Sequence, residues 1–302
     1  FYPSRFPSVR LKRDLPMQII LADVLGMCFG VRDALAVIGA IDRPDAVTIH
    51  GELVHNEKVL DHLHERGFHM VDEQRRTSLP FTDTVLITAH GVSQKERRRL
   101  VDAGKRLIDT TCPLVTRAHD AAQKLERDGY HVLVIGKPGH VEVQGVVEDL
   151  ASFDIVQAPA DVRTYSHRRL GIMCQTTTPV ELAHRIRRTV EAKNPRAEVR
   201  FVDTICHPTK DHQKALERLL AQVQAVVVVG GRNSNNTKQL VRRCEERGVP
   251  AFHVQDDDDL RAEWFDGIDV VGLTAGTSTL EVTIRRVHER LLTMTAQVAA
   301  AL

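Results

Sequence analysis

The sequence has no excess of either charge: 41 Lys and Arg stand against 40 Asp and Glu in 302 residues. Binding a nucleic-acid backbone takes a basic stripe that displaces counterions, so no nucleic-acid partner is expected. Nor does any apolar run approach the roughly 20 residues of a membrane-spanning helix, so no membrane partner is expected either. Residues 1–16 carry Arg5, Arg10, Lys12 and Arg13 without the apolar stretch of a secretory signal. They read as an N-terminal extension, and the chain reads as a soluble cytoplasmic protein. Because it opens on Phe1 rather than Met, a trimmed plastid-targeting segment is the alternative.

Cysteine is scarce and never closely paired. The five are Cys28, Cys112, Cys174, Cys206 and Cys244, far from the crowded framework of a stapled secreted domain. The C-x₂₋₄-C pairs usual in structural zinc sites are absent. Reduced thiols in a reducing compartment are expected. Cys174, in the apolar run Leu170–Cys174, and Cys244, in the helical-looking stretch Gln239–Glu246, read as small buried hydrophobes.

What the sequence does contain is a threefold internal repeat. Cys28, Cys112 and Cys206 are 84 and 94 residues apart (112 − 28 and 206 − 112), each where a strand-like stretch turns into a polar loop. Ile108-Asp-Thr-Thr-Cys112-Pro and Val202-Asp-Thr-Ile-Cys206-His-Pro are nearly the same phrase. A second polar loop follows each cysteine after 27 or 28 residues, at His55, His140 and Ser234. A third follows at His90, Thr176 and Ser278. Nine loops thus form three equivalent sets.

Short β-branched runs such as Thr84–Thr88, His131–Ile135, Ala225–Val229 and Val270–Thr274 alternate with charged helical stretches such as Val143–Leu150 and Asn236–Glu246. Continuous apolar runs of this length indicate buried parallel strands. The fold class is α/β, with three similar units in a pseudo-threefold arrangement: 17–112, 113–205 and 206–302, the last with a C-terminal helix. Ligands of such sheets lie beyond the carboxyl ends of strands. All nine loops follow a strand, so all nine are expected to face one central cavity. The acidic run Asp256–Asp259 reads as a solvated turn that caps a helix.

Three thiolates from three units indicate zinc, an iron–sulfur cluster or coincidence. The missing close pairs weigh against zinc, and the matched settings weigh against coincidence. A cubane cluster normally takes four thiolates, so a site with three would leave one iron open to substrate, as Lewis acid and electron donor together. The other loops present His55 with Asn56, His90, His140 with Glu142, Thr176 with Thr177, Ser234 with Asn235 and Asn236, and Ser278. These are mostly donors, with Lys and Arg scarce, and they suit an anion with several oxygens such as a phosphate or diphosphate. Glu142, the only acid in the set, could stay protonated in a dry cavity and serve as a proton source, or could simply start a helix. His119, His184 and His212 lie on charged helical faces and read as structural.

With these residues in place, the chain resembles the 4-hydroxy-3-methylbut-2-enyl diphosphate reductase family from Met17 to about Leu292. The most specific blocks are Cys28-Phe-Gly-Val-Arg32, Gly51-Glu-Leu-Val-His-Asn56, Ala89-His-Gly-Val-Ser93, Asp109-Thr-Thr-Cys-Pro-Leu-Val115, Asp203-Thr-Ile-Cys206, Asn233-Ser-Asn-Asn236 and Thr274-Ala-Gly-Thr-Ser278. The resemblance implies a central [4Fe–4S] cluster on Cys28, Cys112 and Cys206 with one open iron. It implies an allylic diphosphate substrate held by His55, His90, His140, Ser234, Asn236 and Ser278, with Thr177 and Asn235 beside them. It gives Thr176 the ordering of the substrate hydroxyl and Glu142 the proton supply, in the last step of the methylerythritol phosphate route to isoprenoids. No G-x-G-x-x-G nucleotide fingerprint is present, so electrons would come from an external carrier, which the resemblance implies is a reduced ferredoxin or flavodoxin. Val141 stands where the family commonly has Pro, which is expected to loosen the turn that aims Glu142. Asn235 replaces a frequent Ser. Competing readings are a redox sensor without turnover and a dehydratase or lyase that needs no reductant.

Overall fold

The computed structural model describes residues 17–71, 76 and 78–300; the N-terminal extension expected at 1–16 lies outside them. The chain folds into three parallel four-stranded sheets. The first has the order β3–β2–β4–β5, from β2 (Val47–His50), β3 (His69–Val71), β4 (Thr84–Ile87) and β5 (Arg106–Asp109). The second is β7–β6–β8–β9, from β6 (His131–Ile135), β7 (Phe153–Val156), β8 (Arg169–Cys174) and β9 (Glu198–Phe201). The third is β11–β10–β12–β1, from β1 (Gln18–Leu21), β10 (Ala225–Val229), β11 (Ala251–Val254) and β12 (Val270–Ala275).

Each sheet runs the same way: an edge strand that feeds no recurring loop, two central strands, and an edge strand that leads to a cysteine. The central strands β2, β4, β6 and β10 are buried along their whole length. Every residue of a run such as Val226–Val229 therefore contributes about 1.5–3 kcal/mol of burial, which is why these strands read as unbroken apolar runs rather than alternating ones.

Assignment of every residue from 17 onward to the first unit does not hold. Strand β1 pairs in parallel with β12, Gln18 opposite Val270 through Leu21 opposite Leu273. Beyond it, Cys28 N donates to the Thr277 carbonyl at 3.0 Å. The repeat in the sequence is anchored on its cysteines, whereas each sheet acquires its cysteine from the strand that arrives last. The third sheet's last strand is the one at the start of the chain.

Helices leaving the cysteines cross to the next unit. After Cys28, α1 (Phe29–Gly39) lays Val31, Ala34 and Ile38 on the first sheet. After Cys112, α4 (Pro113–Arg127) packs Ala118, Ala122 and Leu125 on the second. After Cys206, α7 (His207–Leu220) packs Ala215, Leu216 and Leu219 on the third. These positions recur with the three-and-four spacing of one helical face. The chain therefore passes between units at its cysteines, and β1 closes the ring.

His119 and His212 lie on charged helices but turn inward. Both are buried, and the His212 ring sits 2.9 Å from the Pro208 carbonyl and 3.0 Å from the Gly26 carbonyl, joining α7 to the loop before Cys28. His184 is exposed. Cys174 and Cys244 are fully buried as expected. The acidic run forms a 3-10 turn, Asp257–Asp259, in which Asp256 pairs with Lys58 and Arg286.

Gly171 in β8 and Gly272 in β12 hold matching places under α4 and α7. A Cβ on Gly272 would lie 2.8 Å from Leu219 Cδ2, and one on Gly171 2.9 Å from Leu125 Cδ2. Gly272→Ala is expected to lower unfolding free energy by about 1–3 kcal/mol, the usual range for overpacking, read as a lower urea midpoint. An unchanged midpoint would show that Leu219 turns aside and that the helix does not need this close approach.

Candidate functional site

Nine loops leave the carboxyl ends of β1, β2, β4, β5, β6, β8, β9, β10 and β12, and they meet. One cavity of about 90 Å³ is lined by Cys28, Cys112 and Cys206 together with His55, His90, His140, Glu142, Thr176, Thr177, Ser234, Asn235, Asn236 and Ser278. Of the side chains singled out from the sequence in these loops, only Asn56 is missing from its wall.

The local cause is helix capping. Cys28, Cys112 and Cys206 are the N-caps of α1, α4 and α7. Asn56 caps α2 (Glu57–Glu65), His140 caps α5 (Val141–Val147) and Ser234 caps α8 (Asn235–Glu246). Amide N–H groups and positive dipole ends therefore surround the cavity, which favours thiolates and phosphate oxygens there.

All three cavity thiols are free and only partly exposed. Cys206 Sγ lies 3.0 Å from Thr209 Oγ1 and accepts from Thr209 N at 3.4 Å. Gly30 makes room for its neighbour: a Cβ there would sit 2.5 Å from Cys112 Sγ. Burial pushes all three thiols up, Cys206 to about 11, and the nearby Glu142 carboxyl raises Cys112 and Cys206 further. A cationic centre reverses such a shift by drawing the thiols into thiolates. Among the described residues no three His, Cys, Asp or Glu side chains converge tightly enough for a single metal ion. Three thiols set at helix N-termini are nonetheless a donor set suited to a thiolate-bound metal group.

Opposite the thiols, three imidazoles form a cluster. His55 and His90 stack with centroids 4.3 Å apart, and His140 meets both edge-on at 5.2 and 5.8 Å. Burial drives His90 well below its ordinary value and His140 down to about 3, with the neighbouring His55 adding to both. Both His90 and His140 are thus held as neutral rings near pH 7. His140 Nδ1 accepts from Glu142 N at 3.1 Å, which leaves the proton of a neutral ring on Nε2. His90 Nδ1 and Asn236 Nδ2 are buried without a hydrogen-bond partner among the described residues. Buried polar atoms are normally satisfied, so these two are arranged for a polar ligand.

Glu142 is fully buried. Its Oε1 accepts from Thr176 N at 2.6 Å and its Oε2 from Thr176 Oγ1 at 2.8 Å. Burial, the largest influence, raises its carboxyl to about 7 against those two hydrogen bonds. The group can thus hold or release a proton near neutrality, with the Thr176 hydroxyl as its contact to the cavity. At Val141, where a looser turn was expected, the Thr176 contacts to Glu142 and the His140 cap lie on either side of the turn.

Other expected ligand groups also bind the units together. Asn235 Nδ2 donates to Thr177 Oγ1 at 2.8 Å, and Asn56 Nδ2 donates to the Ser278 carbonyl at 2.8 Å. Ser278 Oγ lies 3.4 Å from the His55 carbonyl. Thr209 and Arg76 were not anticipated. Thr209 follows Cys206 at the spacing of a cap partner, a signal present in the sequence. Arg76 comes from a distant loop, where its guanidinium lies against Gly51, and no local pattern announces it.

The sequence matches the family described as LytB protein over residues 19–292. It is 34% identical over 285 residues to the 4-hydroxy-3-methylbut-2-enyl diphosphate reductase of Pseudomonas aeruginosa, covering 91% of this chain and 90% of that one. With the protein of the same description from Azotobacter vinelandii it shares 36% over 286 residues, again 91% and 90% of the two chains. Among solved structures, the Plasmodium falciparum E-1-hydroxy-2-methyl-but-2-enyl-4-diphosphate reductase superposes with a TM-score of 0.82 at 24% identity, over 91% of this chain and 88% of that one. A (E)-4-hydroxy-3-methyl-but-2-enyl diphosphate reductase, described as the terminal enzyme of the non-mevalonate pathway, superposes with a TM-score of 0.64 at 29% identity, over 92% and 99%.

Burial holds His50, His90, His119, His140 and His212 below their ordinary pKa, at about 4 for His50 and about 3 for His140. An unfolded chain protonates these rings near pH 6.5, so their contribution to stability is complete above that value and is lost as pH falls toward the folded values. Glu142 acts in the opposite sense, its contribution being lost as pH rises through about 7. The urea midpoint of the metal-free protein is expected to drop between about pH 7 and about pH 5. A midpoint that stayed flat or rose over this interval would contradict neutral burial of the histidines.

Proposed function

The chain belongs to the LytB protein family, and on that premise we propose that it reductively removes the hydroxyl of 4-hydroxy-3-methylbut-2-enyl diphosphate, giving isopentenyl and dimethylallyl diphosphates. The observation that carries this reading is the convergence of three free thiols, a buried carboxyl of raised pKa and an anion-binding donor set on one cavity. The C–O bond breaks, a C–H bond forms, and two electrons and two protons are consumed for each water released.

Cys28, Cys112 and Cys206 would hold the iron–sulfur group, a [4Fe–4S] cluster with three thiolate ligands and one open iron. Once bound, that group supplies the two electrons and a Lewis-acid centre for the departing hydroxyl. An external carrier, a ferredoxin or flavodoxin, recharges it.

The remaining steps belong to the protein's own side chains. His55, His90, His140, Ser234, Asn236 and Ser278 receive the diphosphate, with Thr177 and Asn235 fixing the wall between the second and third units. Neutral His90 and His140, with the hydroxyl and amide groups, are suited to this because they orient the phosphate oxygens without leaving uncompensated buried cations when the site is empty. Fixing the diphosphate sets the allylic carbon against the thiol end, an orientation effect of about 7–11 kcal/mol at its upper range. Thr176 orders the substrate hydroxyl, and its contact with Glu142 forms the path along which a proton reaches the leaving oxygen. Protonation matters because hydroxide is a poor leaving group and water is a good one.

Anaerobic incubation of iron-reconstituted protein with the substrate, with and without dithionite and a viologen, tests the reading. Reductant-dependent formation of both five-carbon diphosphates is expected. Product without reductant would make the chain a lyase or dehydratase. For the proton path, Glu142→Gln is expected to lower turnover by about 10²–10⁴-fold while iron and sulfide content stay at the wild-type level. Turnover at the wild-type rate would remove Glu142 from the mechanism.

A further inference from the structure

On its imidazole side the site cavity adjoins a vestibule of about 960 Å³ where all three units meet, and His55 and His140 line both. The cavity is furnished with neutral donors, but the vestibule is rich in cations. Its acids are largely engaged: Glu52 holds His55 Nδ1 at 2.9 Å, and Glu96 accepts from Arg99 at 2.7 Å and lies 2.8 Å from His50 Nε2. Lys95 Nζ donates to the Glu148 carbonyl.

Lys137 and Lys238 differ from these. Both are exposed on the vestibule wall, and neither ammonium makes a hydrogen bond or ion pair among the described residues. They come from different units, Lys137 from the loop after β6 that carries His140, and Lys238 one turn beyond Ser234 on α8. Both also line a smaller cavity along the seam between the second and third units, so the two ammonium groups share both openings next to the cradle.

Neutral donors hold an anion at contact distance but attract it weakly from further away. A pair of unpaired ammonium groups acts over about 8 Å at physiological ionic strength. We infer that Lys137 and Lys238 form an electrostatic gate that captures the diphosphate tail of the substrate and steers it onto the neutral donors of the cavity. The gate raises the rate of association and leaves the chemical step alone. This rests on the diphosphate-substrate reading given above.

The test compares wild type, the double variant Lys137→Gln/Lys238→Gln and the charge-retaining double variant Lys137→Arg/Lys238→Arg. In wild type, kcat/KM should fall as salt rises. The glutamine variant should lose about threefold to tenfold in kcat/KM at low salt, the lower end of steering effects, with kcat and iron content unchanged and the two curves converging at high salt. The arginine variant should restore the wild-type curve. In parallel, stopped-flow association of inorganic diphosphate, read through cluster absorbance, should slow by a similar factor in the glutamine variant. Equal kcat/KM and equal salt dependence would overturn the inference, as would a loss confined to kcat. If wild type turned over no substrate, the functional reading would fail, and the diphosphate association rates would still decide for or against the lysines.

Discussion

The architecture depends on three places where the backbone crosses between units, each made at a cysteine that ends one unit's strand and caps the next unit's helix. Because β1, β5 and β9 end at the same level of three similar sheets, their crossings converge, and the three thiols are brought together by topology rather than by any local contact between them. The N-terminal strand is what makes the set complete. Its pairing with β12 gives the third sheet a cysteine edge like those of the other two.

Convergence at a dry centre has a uniform electrostatic consequence. Burial pushes thiols up, imidazoles down and the Glu142 carboxyl up, so each titratable group with a resolved shift on the cavity wall moves toward its neutral form. A neutral wall avoids the desolvation penalty of isolated buried charges. It also suits the proposed guests of opposite character, a cationic metal group that would convert thiols to thiolates at one end and an anion beside the unpartnered polar atoms of His90 and Asn236 at the other. Glu142 lies between them, and Thr176 is its link to the cavity.

Much of this was legible in the sequence because the recurring loops carry unusual residue types at matched spacing. The strands His131–Ile135 and Ala225–Val229 were read to the residue, since β-branched runs bounded by polar loops leave little choice of boundary. What the sequence hid was relational. Nothing in Gln18–Leu21 says that its neighbour is Val270–Leu273, because parallel pairing leaves no local mark. His119 and His212 read as structural residues on charged helices, but the neighbours that bury each ring are visible only once the units are placed. Nor does the turn at Val141 announce the clamp on Glu142, which comes from Thr176, thirty-four residues away. Lys137 and Lys238 carry no signal singly and acquire meaning only as neighbours across a seam.

The central claim is that three crossings build one iron–sulfur site while the other two cysteines belong to the cores. Iron and acid-labile sulfide per chain, measured after anaerobic reconstitution of Cys28→Ser, Cys112→Ser, Cys206→Ser, Cys174→Ala and Cys244→Ala, tests it most directly. The account predicts a marked loss of both in each of the first three variants and wild-type content in the last two. Full content and an unchanged absorption spectrum in any of the first three, with the folded state intact, would contradict it.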